Sequence, residues 1–130
     1  MANRKFLGAL SILVDDYDKA LEYYCEVLGF VLIDDIAMDD KRWVVVAPDS
    51  SAQTQIVLAK ASTEQQKQTI GQQAGERVWL FLHVADFDAE YQRLLGNGVK
   101  FLEQPRTEVY GKVAVFSDCY GNKWDLIQRY

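Results

Sequence analysis

The chain has 130 residues, about the size of one ordinary domain, and its hydrophobic content of 49% is typical of a soluble globular protein. Its net charge is −5, and because contacts to phosphate groups need concentrated positive charge, we do not expect it to bind nucleic acid. No apolar run approaches the roughly twenty residues needed to cross a bilayer, so we expect no membrane partner.

Two features bear on the location of the protein. The first apolar run near the N-terminus is short and is broken by Asp15, which does not fit a secretory signal. The two cysteines, Cys25 and Cys119, form no CxxC motif, so we expect reduced thiols rather than a disulfide framework or a zinc site. Both features favour a cytoplasmic protein.

The first elements in chain order are a strand and a helix. The apolar run Leu10–Val14 predicts a strand. Apolar residues then recur at spacings of three and four from Tyr17 to Leu28, which indicates one apolar face of a helix. Asp16 is placed to cap the start of this helix, and Gly29 is placed to end it.

Three short runs follow, each rich in β-branched or aromatic residues and each bounded by turn-forming residues. They are Phe30–Ile36, Arg42–Ala47 and Gln53–Lys60, and they predict an antiparallel meander. The next stretch, residues 61–75, is polar and rich in glutamine. It is either a linker or a short helix.

The second half of the chain repeats the plan of the first. Asp86 stands at the start of a second helical pattern, in the place that Asp16 has in the first, and Gly98 takes the place of Gly29. A repeated unit of this kind predicts duplicated architecture. The predicted elements are strand Val78–Val84, helix Phe87–Leu95, and strands Lys100–Gln104, Lys112–Ser117 and Lys123–Ile127.

These elements predict an α+β fold made of two βαβββ modules in tandem. The modules cover about residues 1–60 and 76–130 of a single domain, with the polar stretch 61–75 between them. A helix covers one face of each sheet, so the other faces either meet or enclose a cavity. The curled mixed sheets are expected to form a cup.

Strand alternation predicts which side chains enter that cup. Leu80 and Leu82 suit the face under the helix, which leaves Trp79 and Phe81 on the opposite face. By the same argument Trp124 packs under the helix and Asp125 points away from it. We therefore expect Trp79 and Asp125 to face one shared cavity.

Two motifs resemble a known superfamily. The opening V-x-D-Φ-x-x-A-x-x-Y-Y-x-x-x-L-G-F, here Val14 to Phe30, and the ending F-x-D-x-x-G-N-x-x-D-L, here Phe116 to Leu126, are similar to the glyoxalase / bleomycin-resistance / dioxygenase superfamily, also called vicinal oxygen chelate. The resemblance covers nearly the whole chain. It implies paired βαβββ modules curled into a cup and, commonly, a homodimer.

The resemblance also implies where metal-dependent members hold their metal. The four ligand positions fall at Ala9, Val57, Trp79 and Asp125, and three of these residues have no metal-binding atom. A divalent ion needs several His, Glu or Asp donors. We therefore expect no metal and no other cofactor.

Several residues are candidates for binding a small-molecule ligand. Asp125 is placed to anchor a cationic or hydroxylated group, or is a relic paired to a nearby donor. The aromatic residues form either the wall of a binding site or core, and His83 is either a general base or a hydrogen-bonded residue near a strand end. Tyr110, which precedes a strand, lies either in a loop that closes over the cup or in an ordinary turn. The full candidate set is Trp79, Asp125, Phe81, Trp43, Ser11, Gln55, Val57, Tyr110 and His83.

Three functions fit these observations. The first is a metal-independent protein that binds or sequesters a drug or metabolite, as implied by the bleomycin-resistance branch. The second is a glyoxalase-like lyase or a dioxygenase-type enzyme, whose chemistry uses a metal as Lewis acid. The third is a dimeric interaction scaffold with a filled cup. The open or filled state of the cup distinguishes the first from the third.

Overall fold

The computed structural model describes residues 3–130 as two compact α+β units, one ending at Ile70 and the other running from Gly71 to Tyr130. In the first unit, the helix Tyr17–Leu21 continues directly into a π-helical segment, Glu22–Val27. The elements of this unit are β1 (Ala9–Val14), α1 (Tyr17–Leu21), β2 (Val31–Met38), β3 (Lys41–Ala47), β4 (Gln55–Lys60) and α2 (Glu64–Thr69).

The second unit repeats the first with one change. Its elements are β5 (Val78–His83), α3 (Phe87–Gly96), β6 (Lys100–Phe101), β7 (Arg106–Glu108), β8 (Gly111–Ser117) and β9 (Lys123–Arg129). The sheet orders are β1-β4-β3-β2 and β5-β9-β8-β6, with β7 also paired to β8. In each sheet the first strand pairs in parallel with the last, and the other pairs are antiparallel. The predicted α+β fold of two related modules is confirmed.

The two long helices begin as the sequence predicts. The Asp16 side chain accepts a hydrogen bond from the Lys19 amide at 2.9 Å, and the Asp86 side chain accepts one from the Ala89 amide at 3.1 Å. Each carboxylate satisfies an amide that has no partner inside its helix. Across residues 3–130 no helix is both long and apolar enough to cross a membrane.

The first helix differs from the second because it contains one more residue. The stretch from the capping Asp16 to Gly29 is longer by that single residue than the stretch from Asp86 to Gly98. The Leu28 amide accordingly donates to the Tyr23 carbonyl, five residues back, at 3.0 Å. A π-helical turn accommodates an extra residue without moving the helix ends. The regular periodicity predicted over residues 17–28 is interrupted for this reason.

The second strand predicted for the second module, Lys100–Gln104, is shorter in the structure, and a separate short strand follows it. β6 ends at Phe101, and β7 begins at Arg106, directly after Pro105, which has no backbone N–H to donate to the β8 ladder. The Glu103 carboxylate fills the interruption by accepting a hydrogen bond from the Val115 amide at 3.1 Å. β7 was not predicted as a separate strand.

The core of each unit lies between its helix and one face of its sheet. In the first unit Ala20, Tyr24 and Leu28 of the helix are buried, and so are alternate residues of the strands: Ile12, Val14, Val44, Val46, Ile56 and Leu58. In the second unit the core contains a chain of aromatic contacts with ring centroids 4.6–5.8 Å apart, formed by Phe87, Tyr91, Phe101, Phe116 and Trp124. Trp124 lies in this core, as expected.

In each unit a cationic side chain of the sheet, on β3 or β8, contacts the first turn of the helix. In the first unit Arg42 lies 5.2 Å from the centroid of the Tyr17 ring and donates to Asp18 at 2.9 Å. In the second unit Lys112 makes the same two contacts, at 5.4 Å from the Phe87 ring and 2.5 Å from Asp88. Lys112, Phe87 and Asp88 occupy the positions in the second module that Arg42, Tyr17 and Asp18 occupy in the first. The duplication therefore extends to tertiary contacts.

Candidate functional site

The predicted residues of the first module lie together on the sheet face opposite α1. Strand register pairs Ser11 with Val57 and Ala9 with Gln55, and paired residues place their side chains on the same face. Val57 also pairs with Val45, and Trp43 lies two residues before Val45 on the same face. We call this the open face of the first sheet. Trp43 is 42% exposed there, and its neighbour Ile36 is 51% exposed.

The corresponding open face of the second sheet contains Phe81 and Asp125. These residues are directly paired in the β5–β9 register, and Asp125 is also paired with Val115 of β8. The neighbouring Leu82 and Leu126 are paired on the opposite, buried face. Phe81 is 57% exposed, whereas Asp125 is only 7% exposed.

The other predicted residues of the second module occupy its periphery. Trp79 is half-buried and lies at an irregularity where the β5–β9 register shifts between Val78 and Leu80. This β-bulge adds one residue to β5, so simple alternation does not determine the direction of the Trp79 side chain. His83 is exposed at the end of β5, and Tyr110 lies 42% exposed in the turn between β7 and β8.

Asp125 is an unusual buried carboxylate. Its Oδ1 atom is buried and has no hydrogen-bond partner among the residues that the structure describes. Burial raises the pKa of Asp125 above its usual range; the positive charge of Arg106 opposes this effect and the negative charge of Glu103 adds to it. A buried acceptor without a partner costs about 1–3 kcal/mol of stability, so Asp125 does not owe its place to the stability of the fold.

A charged network next to Asp125 was missing from the sequence prediction. The Arg106 guanidinium donates from Nε to Glu103 at 3.0 Å and from one terminal nitrogen to Glu108 at 2.6 Å. It also shares a hydrogen bond with Tyr110, and these contacts raise its pKa further above the usual range. The one sequence signal for the network is the two-residue spacing of Arg106 and Glu108, which places both side chains on one face of a strand.

A charged cleft in the first unit also went unpredicted. It has a volume of about 390 Å³ and lies where α1 begins, beside the turn between β2 and β3. Tyr17 and Arg42 line it together with acidic residues and Lys60, and none of the predicted ligand-binding residues contributes to it. The cleft lies where Arg42 contacts Tyr17 and Asp18 of α1.

The residues present do not fit the metal site that the resemblance implies. Ala9 and Val57 offer only carbon atoms, and the indole of Trp79 has no lone pair for a metal ion. Throughout residues 3–130 no group of three or more His, Cys, Asp or Glu side chains is placed to hold a metal ion. Asp125 is therefore a carboxylate without fellow ligands.

Comparison with known proteins agrees with this architecture. Residues 7–126 match the family model of the glyoxalase/bleomycin resistance protein/dioxygenase superfamily. The chain belongs to this superfamily. A relative from Shewanella frigidimarina, an uncharacterized protein, is 48% identical over 121 residues, which cover 92% of this chain and 90% of the relative.

Solved structures with the same fold include two at about one-third identity. UcmS2 superposes with a TM-score of 0.83 and 32% identity, covering 96% of this chain and 98% of its own. TnmS3, described as an antibiotic binding protein from a Streptomyces species, superposes with a TM-score of 0.82 and 31% identity over the whole of both chains.

Proposed function

We propose that the protein binds a small aromatic molecule on the open face of the second sheet and sequesters it without a metal. The observation that carries the proposal is the pairing of half-exposed Phe81 with Asp125, a buried carboxylate whose Oδ1 has no partner among residues 3–130. An apolar surface with a few convergent polar groups is typical of small-molecule sites. Stability alone does not explain such an arrangement.

The similarity to TnmS3 supports this proposal. That protein is described as antibiotic binding, and it shares this fold over the whole of both chains. Lyase or dioxygenase chemistry of the kind implied by the superfamily uses a metal as Lewis acid, and Ala9, Val57 and Trp79 supply no ligand for one. A binding role without bond-making therefore fits these residues better than catalysis.

Binding is tested by fluorescence titration of chelator-treated protein with 2-naphthylmethanol, a flat aromatic probe. We expect saturable quenching of tryptophan fluorescence with a Kd in the micromolar range, unchanged by added Zn²⁺ or Mn²⁺. Phe81→Ala should weaken the probe by about tenfold, since burying an aromatic ring contributes more than about 1.4 kcal/mol. Its high exposure makes Phe81 replaceable without unfolding.

Leu95 is the matched control for this experiment. It is a large apolar residue, 41% exposed, on α3 rather than on the open face. Leu95→Ala should leave the affinity for 2-naphthylmethanol unchanged. Absence of saturable quenching, a strict requirement for added metal, or equal effects of the two variants would overturn the proposed function.

We further propose that the protein is a homodimer in which a second copy covers exposed apolar surface. Ile36 and Trp43 are both exposed on the open face of the first sheet, and β2 forms an edge of that sheet with eight residues. Exposed apolar patches and unpaired strand edges tend to be covered by a partner.

The dimer is tested by light scattering coupled to size exclusion. We expect a mass twice the 14.9 kDa of one chain, and Ile36→Lys should shift the protein toward monomer because it places a charge in the covered surface. Leu95→Lys, on the outer side of α3, should have no effect. A monomeric mass at every concentration tested would show that the proposal is wrong.

A further inference from the structure

The unpartnered oxygen of Asp125 points to the chemistry of the ligand. Asp125 is more than nine-tenths buried, and its Oδ1 receives no hydrogen bond from the part of the chain that the structure describes. Buried polar atoms are nearly always paired, and each exception needs a cause such as a missing ligand. A carboxylate oxygen accepts hydrogen bonds when ionised, so the missing partner is a donor.

Arg106 is the cation whose charge acts on Asp125, but two of its N–H donors already serve other carboxylates. Its Nε donates to Glu103 and a terminal nitrogen donates to Glu108, at 3.0 and 2.6 Å. Hydrogen bonds of a guanidinium to carboxylates are among the stronger ones in proteins. Two carboxylates therefore already offset the single positive charge, which makes Arg106 a poor partner for an anionic ligand.

Both carboxylates are fixed in place by the fold. Glu103 accepts a second hydrogen bond from the Val115 amide, and Val115 is the residue that pairs with Asp125. Glu108 belongs to β7, where it is paired with Gly111 of β8. Turning Arg106 toward a ligand would break two charge-assisted hydrogen bonds and leave Glu103 without its cation.

The local charge balance is negative. Three carboxylates, those of Glu103, Glu108 and Asp125, surround one guanidinium. We infer that the site takes an aromatic ligand whose polar end donates a hydrogen bond to Asp125, with a protonated amine bound most tightly and a carboxylate or phosphate rejected. This inference rests on the proposed function and names the ligand class of the same site.

Three probes that share one ring system test the inference. They are 2-naphthylmethylamine, 2-naphthylmethanol and 2-naphthoate, which present a cation, a neutral donor and an anion. We expect the order of affinity amine, alcohol, acid, with the amine at least tenfold tighter than the acid at neutral pH. If no probe binds, the proposed function fails; if all three bind equally or the acid binds best, only the ligand class is wrong.

Two variants connect the preference to named residues. Asp125→Asn should lower the affinity for 2-naphthylmethylamine by about tenfold and change the affinity for 2-naphthoate less. The melting temperature of this variant should not fall, because the substitution removes a buried charge. Arg106→Gln should not lower the affinity for 2-naphthoate, since on this inference Arg106 does not contact the ligand. Loss of acid binding in Arg106→Gln, or unchanged amine binding in Asp125→Asn, would overturn the inference.

Discussion

Replacing Asp118 with alanine should lower the free energy of unfolding by about 4 kcal/mol, a large share of the stability of a small domain. The buried Asp118 carboxylate accepts hydrogen bonds from the backbone amides of Tyr120 and Asn122, from the Asn122 side chain and from the indole N–H of Trp124, at 2.9–3.1 Å. Alanine would leave these donors without this acceptor, and a buried donor without a partner costs about 1–3 kcal/mol. Urea denaturation followed by circular dichroism measures the change.

Two other variants separate the buried network from the turn itself. Asp49 accepts from the amide and hydroxyl of Ser51 at 2.9 and 2.8 Å in an exposed turn of the first unit, so Asp49→Ala should have a much smaller effect. Asp118→Asn keeps one acceptor oxygen but places an NH₂ group against other N–H donors. We therefore expect a loss of unfolding free energy between those of Asp49→Ala and Asp118→Ala. A loss below about 1 kcal/mol in Asp118→Ala would contradict the argument.

The fold was largely predictable because its strongest signals are local and occur twice. Asp16 and Asp86 each begin a helix after an apolar strand, and both caps are present in the structure. The π-helical segment was not predicted because it results from a single additional residue before Gly29. That residue leaves the apolar spacing almost unchanged. The interruption between β6 and β7 contains Pro105, and its effect on pairing was not predictable because it depends on which acceptor the missing N–H would have faced.

The candidate site was predictable only as far as strand alternation reaches. Alternation correctly placed Trp124 in the core, and the register agrees with Asp125 on the other face. It does not determine the direction of the Trp79 side chain, because a β-bulge adds a residue that no periodic pattern reveals. The contacts of Arg106 with Glu103 and Glu108 depend on loop geometry and on side-chain choice among several carboxylates, which spacing alone does not determine.

Gly71→Ala should destabilise the protein by several kcal/mol because no space exists for a methyl group. Gly71 is buried with φ +76°, and a Cβ atom there would lie 1.9 Å from the carbonyl oxygen of Tyr120. That carbonyl belongs to the turn that Asp118 holds in place, so it cannot move without straining the buried hydrogen bonds. Overpacking of this kind typically costs about 1–3 kcal/mol, and a left-handed backbone adds about 1 kcal/mol for a residue with a Cβ.

Gly75 provides the matched control for this prediction. It has nearly the same backbone angle, φ +65°, but a Cβ there would meet no atom within 4 Å. Gly75→Ala therefore carries the backbone strain without the clash, and the difference between the two variants isolates the contact with Tyr120. We expect Gly71→Ala to lower the urea midpoint clearly more than Gly75→Ala. Equal midpoints would mean that the segment at Gly71 moves away from the turn at little cost, so that its packing contributes little to the stability of the second unit.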